Sequence, residues 1–511
     1  MRHSLLIAAL AVVLFPHASH AAEAVTFNKH IAPLVFQNCA GCHRPGEVAP
    51  FSLLSYADVS KRAKQIGEVT KSHFMPPWKS VDGHGRFAGE RRLSAEQIEL
   101  IGRWVEQGTV EGDARDLPQP PEFKDGWKLG PPDIVLTMPE PYEIPADGPD
   151  IYRNFVFDVK IPEGKYLKAA EYRPGNRKIV HHAALAIDID GRARREDEAD
   201  PLPGSKGSLS IPGRLLPGSL SAWTPGRDAA PLPEGISFPW HPGAALMLQL
   251  HLHPSGKPES EQSTVGLYLT DQPPQRSMAD LALIARKIDI PPGEKEYRSR
   301  DEFTLPIAMQ VLGLFPHMHL IGKDIKLTAH PPEGEPFSLL WIDDWDFNWQ
   351  GFYECAAPVK LPAGTRVVLE TVHDNSAENF RNPFNPPQRI TYGEQTSNEM
   401  SAAIVQLVPD KDEELPQLRE KLRGRVIGTI VASRANPPQA PPTDDLAAFV
   451  KDLLAKHDSD KSGTLSLAEL AAASGKPEDE IKQIAAPFDA NQDGALDEKE
   501  LAAAVAKLRG K

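Results

Sequence analysis

Six residues in the middle of the chain have the types needed for redox metal chemistry: His181 and His182, then His251, then His317 and His319 around Met318, then Met400. Imidazole suits copper in either redox state, whereas a thioether sulfur favours Cu(I). Three histidines would make one copper site, and His317, His319 and Met400 a second, more reducible one. Two unlike sites of this kind divide redox labour between them.

Two other groups bind different cofactors. The only cysteines are Cys39, Cys42 and Cys355. In an exported chain two of them can pair, but Cys39-Ala40-Gly41-Cys42-His43 reads as covalent attachment of a c-type haem, each thiol capturing a vinyl group. His43 is then the proximal ligand and Met75 the expected second axial ligand; the competing reading has Met75 packing beside the haem edge. Cys355 is left without an intramolecular partner. Near the C-terminus, Asp458, Asp460, Ser462, Gly463, Thr464 and Glu469 have EF-hand calcium-loop spacing, as do Asp489, Asn491, Asp493, Gly494, Ala495 and Glu500. Oxygen ligands alternate, glycine permits the sharp turn, position seven (Thr464, Ala495) offers its backbone carbonyl, and the final glutamate binds with both oxygens. Phe449, Leu453, Ile484, Phe488 and Leu501 are expected to pack the pair of hands.

The elements that position these residues follow from periodicity. In Leu246-Met247-Leu248-Gln249-Leu250-His251-Leu252-His253, leucines alternate with the other side chains, predicting a strand with one core face and one available face. His251 and His253 share the available face, so either is placed to ligate. Neighbours in a regular strand face opposite ways, so His181 and His182 reach one metal only at a bulge or strand end; otherwise one is core and the other surface. His317 and His319 share a face, and His241, His330 and His373 read as structural. Ser94-Ala95-Glu96-Gln97 starts a helix as a capping box, Ile98, Ile101, Trp104 and Val105 form its apolar face, and Gly108 is a plausible stop.

Over residues 131–436 the order and wording of the ligand motifs resemble the copper type II, ascorbate-dependent monooxygenases, the family of peptidylglycine hydroxylase and dopamine β-hydroxylase. The resemblance rests on Val180-His181-His182, Leu248-Gln249-Leu250-His251, His317-Met318-His319 with Gly322-Lys323, and Glu399-Met400 after Tyr392-Gly393. It favours His251 over His253. It implies two jelly-roll-like β-sandwiches, residues 131–275 and 276–436, meeting across an open cleft. It also implies that His181, His182 and His251 hold the electron-storing copper, while His317, His319 and Met400 hold the copper that meets dioxygen. Electrons are then expected to arrive through the haem and the three-histidine site. The peptide-amidating members place an arginine where this chain has Phe315, and an asparagine and a tyrosine where it has Ala402 and Ile404. Peptide C-termini are therefore not expected as substrates. The helix starting at Ala95 resembles the last helix of class I cytochromes c.

The whole reads as a mainly β, multidomain chain. An apolar run from Leu5 to Phe15 before Ala18-Ser19-His20-Ala21 predicts a cleaved signal peptide over 1–21, hence export to the periplasm or outside the cell, with an uncleaved anchor as the alternative. An all-α cytochrome c domain follows at 25–115, a linker at 116–130, the sandwiches, a proline-rich linker at 437–444 and an all-α EF-hand pair at 445–511. The 511 residues carry a formal net charge of −14, which excludes the basic face that nucleic acid requires. Mean hydropathy of −0.37 argues against a membrane bundle, leaving no span once the signal is removed. The expected activity is copper-dependent hydroxylation of a small organic C–H bond by O2, with heme c, two copper and two calcium ions. A redox partner or ascorbate would be the reductant. Alternatives are a non-hydroxylating electron-transfer or copper-handling protein, and a calcium-dependent interaction protein.

Overall fold

The computed structural model describes residues 24–509, apart from 124–125, 189–190, 207–220, 226–228, 394, 423–449, 452–453, 456, 475–477, 487 and 492. The expected leader, the proline-rich linker, Phe449 and Leu453 lie outside the described residues. The chain divides into two compact units, Met1–Lys421 and Leu422–Lys511.

The larger unit begins with helices Ala32–Asn38, Tyr56–Ser60, Ala63–Lys71 and Ala95–Glu106 around Phe27, Ile31, Val35, Ile66 and Trp104. Ser94 caps the last helix. Its Oγ accepts from the Gln97 N–H at 3.3 Å, and Gln97 Oε1 accepts from the Ser94 N–H at 2.8 Å. Gly108 follows the helix at φ +86°, a backbone conformation comfortable only without a Cβ.

The body of this unit is β-rich, with four larger antiparallel sheets. Strand Ala245–Leu252 lies at the centre of a five-stranded sheet, between Ile151–Asp158 and Val180–Asp188. Leu246, Leu248, Leu250 and Leu252 enter the core with Phe155 and Phe157, each leucine contributing roughly 2 kcal/mol by burial. The face expected to be available is also covered, which corrects the alternation argument. Helix Arg192–Ala199, which periodicity did not reveal, lays Ala193 on Met247, and Gln249 donates to Asn154 at 3.1 Å.

Farther along, Met309–Met318 pairs with Ser401–Pro409 in one sheet, while Gly322–His330 pairs with Arg366–His373 in another. No described strand joins the sheets of residues 134–270 to those of 279–409. Among the described residues, contacts join the two halves. Met278 and Val408 join the first half's apolar core, and Thr396 Oγ1 donates to the Asp150 carboxylate at 2.7 Å. Among the described residues no helix is long and apolar enough to cross a membrane.

The smaller unit packs Val450, Leu465, Ala485, Leu496 and Leu501, with Phe488 at the edge of the cluster. It is not purely helical: Thr464–Ser466 and Ala495–Asp497 form a short antiparallel ladder ahead of helices Leu467–Ser474 and Glu498–Arg509.

Candidate metal centres

The first centre is made by a register slip. Val180 pairs with Leu252 but His182 pairs with His251, so His181 is the extra residue of a bulge. That irregularity lets consecutive histidines turn to one side. His182 Nδ1 lies 3.3 Å from both His181 Nδ1 and His251 Nδ1. A ligand nitrogen from each of the three rings falls within 4.8 Å of the others. Three imidazole nitrogens facing one another leave lone pairs unpaired, and a single cation among them would satisfy all three at once.

Asp150, just before strand Ile151–Asp158, fixes the outer member. His251 Nε2 donates to Asp150 Oδ2 at 2.8 Å, which turns Nδ1 to the inner side, towards His182. The exposed His253 also reaches Asp150, at 2.6 Å, so only His251 joins the triad. Burial would raise the Asp150 carboxyl, but hydrogen bonds from His251, Thr396 and His253 hold it below the usual carboxylate range. Burial pushes His181 down to about 4 and His182 well below its ordinary value, with neighbouring imidazoles acting in the same direction. Both rings are neutral near pH 7, the state a metal ligand needs. His181 Nε2 is buried without a hydrogen-bond partner.

The second centre lies at the end of strand Met309–Met318. His317 stands opposite Ala402 and Met318 opposite Ser401, so one further step sets His319 against Met400. Gln350 Oε1 accepts from His317 Nδ1 at 2.6 Å, and the Asn398 carbonyl accepts from His319 Nδ1 at 3.2 Å. The Nε2 atoms are thereby left as acceptors on both rings, whose centroids are 5.1 Å apart. Burial and His319 lower His317 to about 3; burial also lowers His319, against the opposing pull of Glu399. Met400 is buried.

Glu399 ties this corner together from below. Its Oε1 accepts from the backbone N–H groups of His319 at 2.6 Å and Met400 at 2.8 Å, with the side chain fully buried. Burial would raise its carboxyl, but His373, His319 and that backbone bond hold it low. His373 Nδ1 lies 3.7 Å from Glu399 Oε2, too far for a hydrogen bond. On its other side His373 Nε2 meets Ser401 Oγ at 2.9 Å.

Phe347 brings the two centres together. Its ring stacks on His181 at 5.1 Å and lies 6.4 Å from His251 and 6.0 Å from His319. It belongs to a short 3-10 turn, Phe347–Trp349, which Asp346 caps by accepting from the Asn348 N–H at 3.0 Å.

At the other candidate sites, His43 Nδ1 donates to the Phe51 carbonyl at 3.2 Å, leaving Nε2 available. None of the three cysteines is in a disulfide, and burial pushes the Cys39 thiol up to about 12, unlike a thiolate metal ligand. Met75 follows helix Ala63–Lys71, its N–H donating to the Val69 carbonyl at 3.0 Å. In the smaller unit, Asp458, Asp460 and Glu469 converge, and Gly463 donates to Asp458 at 2.8 Å. Gly494 donates to Asp489 at 3.0 Å, and Glu500 accepts from Ala490 at 2.9 Å.

A stretch of 93 residues is 33% identical to DBH-like monooxygenase protein 1 of Mus musculus, covering 16% of this chain and 15% of that protein. The curated relative is a monooxygenase. The chain thus spans under a fifth of its relative's length. No protein-family model matches. Among solved structures, the major capsid protein P2 of bacteriophage PM2 aligns with 51% of this chain and 97% of its own, at 7% identity and TM-score 0.22. PBCV-1 VP54 aligns with 56% and 96%, at 8% identity and TM-score 0.21. Neither alignment bears on function.

Sequence reasoning missed Asp150, Phe347 and Gln350. No local pattern marks them, since each acts through residues far away in the chain. Glu399 was noted only as a motif neighbour, although a carboxylate next to a candidate ligand is a usable signal for a supporting role.

Proposed function

We propose that the chain is an exported, copper-dependent monooxygenase that hydroxylates a C–H bond of a small organic substrate with O2, with electrons supplied through a c-type haem. The observation that carries this reading is the pair of histidine clusters, in which His251, His317 and His319 are each hydrogen-bonded on the outer side so that the other ring nitrogen is turned inward. His181, His182 and His251 would hold one copper, and His317, His319 and Met400 the other. Copper bound there supplies one-electron chemistry and activation of dioxygen.

The chain's own residues do the rest. Asp150, Gln350 and Asn398 keep the outer protons in place, so that the inner lone pairs stay directed at the metal. Burial favours the neutral form of His181, His182, His317 and His319, and the Phe347 ring lies against His181 and His319. Cys39, Cys42 and His43 would carry the haem, with Met75 as second ligand. The acidic loops of the smaller unit would hold calcium; in a calcium-rich exported setting they would stay filled and act by stabilising or docking. Phe315, Ala402 and Ile404 offer no carboxylate anchor, which fits an apolar substrate.

A second reading is favoured by one observation. Phe347 and the Thr396–Asp150 bond occupy the junction where the resemblance implies a cleft, as expected of a protein that moves electrons without hydroxylating. Copper-dependent O2 consumption separates the two. The copper-loaded chain should convert members of an apolar C–H compound library to products carrying 18O from 18O2. Met400→His should abolish that conversion while leaving one copper bound. Oxygen use without labelled product would favour the electron-transfer reading.

A further inference from the structure

We infer, independently of the proposed activity, that residues 78–92 form a strap that keeps two open sheet edges of the second β-half from pairing with a second copy of the chain.

The outer strand of a sheet turns backbone N–H and C=O groups outward, where they can pair with any extended chain that approaches. Strand Phe337–Ile342 ends one four-stranded sheet, beside Gly322–His330, and Tyr353–Leu361 ends another, beside Met309–Met318. The first of these, Phe337-Ser338-Leu339-Leu340-Trp341-Ile342, holds no charge, proline or glycine, the composition that pairs most readily with its own kind. Phe337 at its start is 38% exposed. The opposite edge of the same sheet guards itself: Tyr297–Thr304 carries Arg298, Arg300 and Glu302, charges that oppose pairing. Pro358 and Lys360 act likewise in the later part of Tyr353–Leu361.

The strap lies on what remains. Val81 N–H donates to the Trp341 carbonyl at 2.8 Å, and Ala88 N–H to the Glu354 carbonyl at 2.8 Å. Ala356 N–H donates back to the Arg86 carbonyl at 2.9 Å, and Phe87 pairs antiparallel with Cys355. One segment therefore occupies outward backbone groups of both sheets, as a captured peptide does when it adds a strand. Gly85 permits the close approach: its φ is +97°, and a Cβ there would fall 2.5 Å from the Leu339 carbonyl oxygen. Side chains fasten the segment. Lys79 pairs with Asp344 at 2.6 Å, Trp78 and Phe87 meet the buried Tyr353 ring at 5.2 and 5.1 Å, and His84 lies edge-on to Trp341 at 4.6 Å. Arg92 donates to the Ser80 carbonyl at 2.7 Å, closing the strap on itself, and just ahead of it Phe74 meets Trp349 edge-on at 6.0 Å. The occupant that the bared edge fits is the same strand of a second copy, because two identical apolar strands pair antiparallel about a twofold axis.

The test compares the full chain with Gly85→Val, which pushes the strap off Leu339, and with Phe87→Ala, which loosens it without backbone strain. Hydrogen–deuterium exchange read by mass spectrometry should show the segment 353–357, which contains the Ala356 amide, exchanging at least tenfold faster in Gly85→Val and by a smaller factor in Phe87→Ala. Sedimentation velocity at matched concentrations should show a species of twice the parent's mass in both variants. Adding Phe337→Lys, a charge on the bared edge, should return either variant to the parent's mass. Unaltered exchange in both variants overturns the strap itself. Faster exchange at the parent's mass overturns its guarding role, as does association that Phe337→Lys leaves in place. Should Gly85→Val not fold, Phe87→Ala decides the matter by the same readouts.

Discussion

The two histidine centres are built on opposite principles, although one phenyl ring touches both. The three-histidine centre depends on a backbone irregularity, the bulge at His181, and is supported by a charged group, Asp150. The His317–His319–Met400 centre lies at a regular strand end, and its outer partners are a neutral amide and a carbonyl. A carboxylate behind an imidazole makes that ligand more basic and favours the more highly charged ion, whereas neutral partners and a thioether favour the lower charge. If copper binds as proposed, the outer partners would tune its redox poise along with the ligands, with Asp150 bonded directly to a ring at the first centre and Glu399 bonded to the backbone at the second.

The harshest way to break the comparison is to remove one inner ligand. His182→Ala should lower bound copper from about two ions to about one per chain, measured by metal analysis after dialysis, and should spare the second centre's spectrum. Loss of both ions would show that the centres are not independent. Asp150→Asn should act more gently, weakening copper at the first centre by roughly 10–100-fold in chelator competition. An equal weakening at the second centre would contradict the charge argument.

Glu399 sharpens the comparison from the other side. Glu399→Ala leaves the buried N–H groups of His319 and Met400 unpaired, and the expected loss of stability is roughly 3 kcal/mol, read as a lowered unfolding midpoint in denaturant. An unaltered midpoint would mean that the carboxylate does not hold that corner together.

A further test of the comparison concerns pH. The folded-state values of His181, about 4, and His317, about 3, lie below the unfolded value near 6.5. Between those limits the unfolded chain binds more protons than the folded chain, so stability is full above about 6.5 and falls as pH drops toward 3–4. Thermal unfolding of the metal-free protein should trace that decline. His181→Gln should flatten the part above pH 4, and an unchanged slope would remove His181 from the account.

Much of the fold was legible because its periodicities are local. The alternation around Leu248 gave the strand, Ser94 and Gln97 gave a helix start, and the glycine of each acidic loop marked its turn. The alternation argument stopped at what covers the other face. Helix Arg192–Ala199 has no apolar stripe beyond Ala193 to announce it, so burial of Met247 was invisible. The contact between the halves was equally hidden, because the Thr396–Asp150 bond joins residues 246 positions apart.

The sequence by itself determined the inventory of chemistry: which side chains are soft ligands, in what order they occur, and which neighbours can share a strand face, since these depend on residue type and a two-residue period. Tertiary structure alone decided how that chemistry is arranged. It chose His251 over His253 by burying one at the bulge and leaving the other in solvent. It brought Asp150, Gln350 and Glu399 behind their histidines, set Phe347 between the centres and laid Phe74 against Trp349. Those contacts join distant segments through packing and hydrogen bonds, and no local pattern in a chain specifies which distant segments will meet.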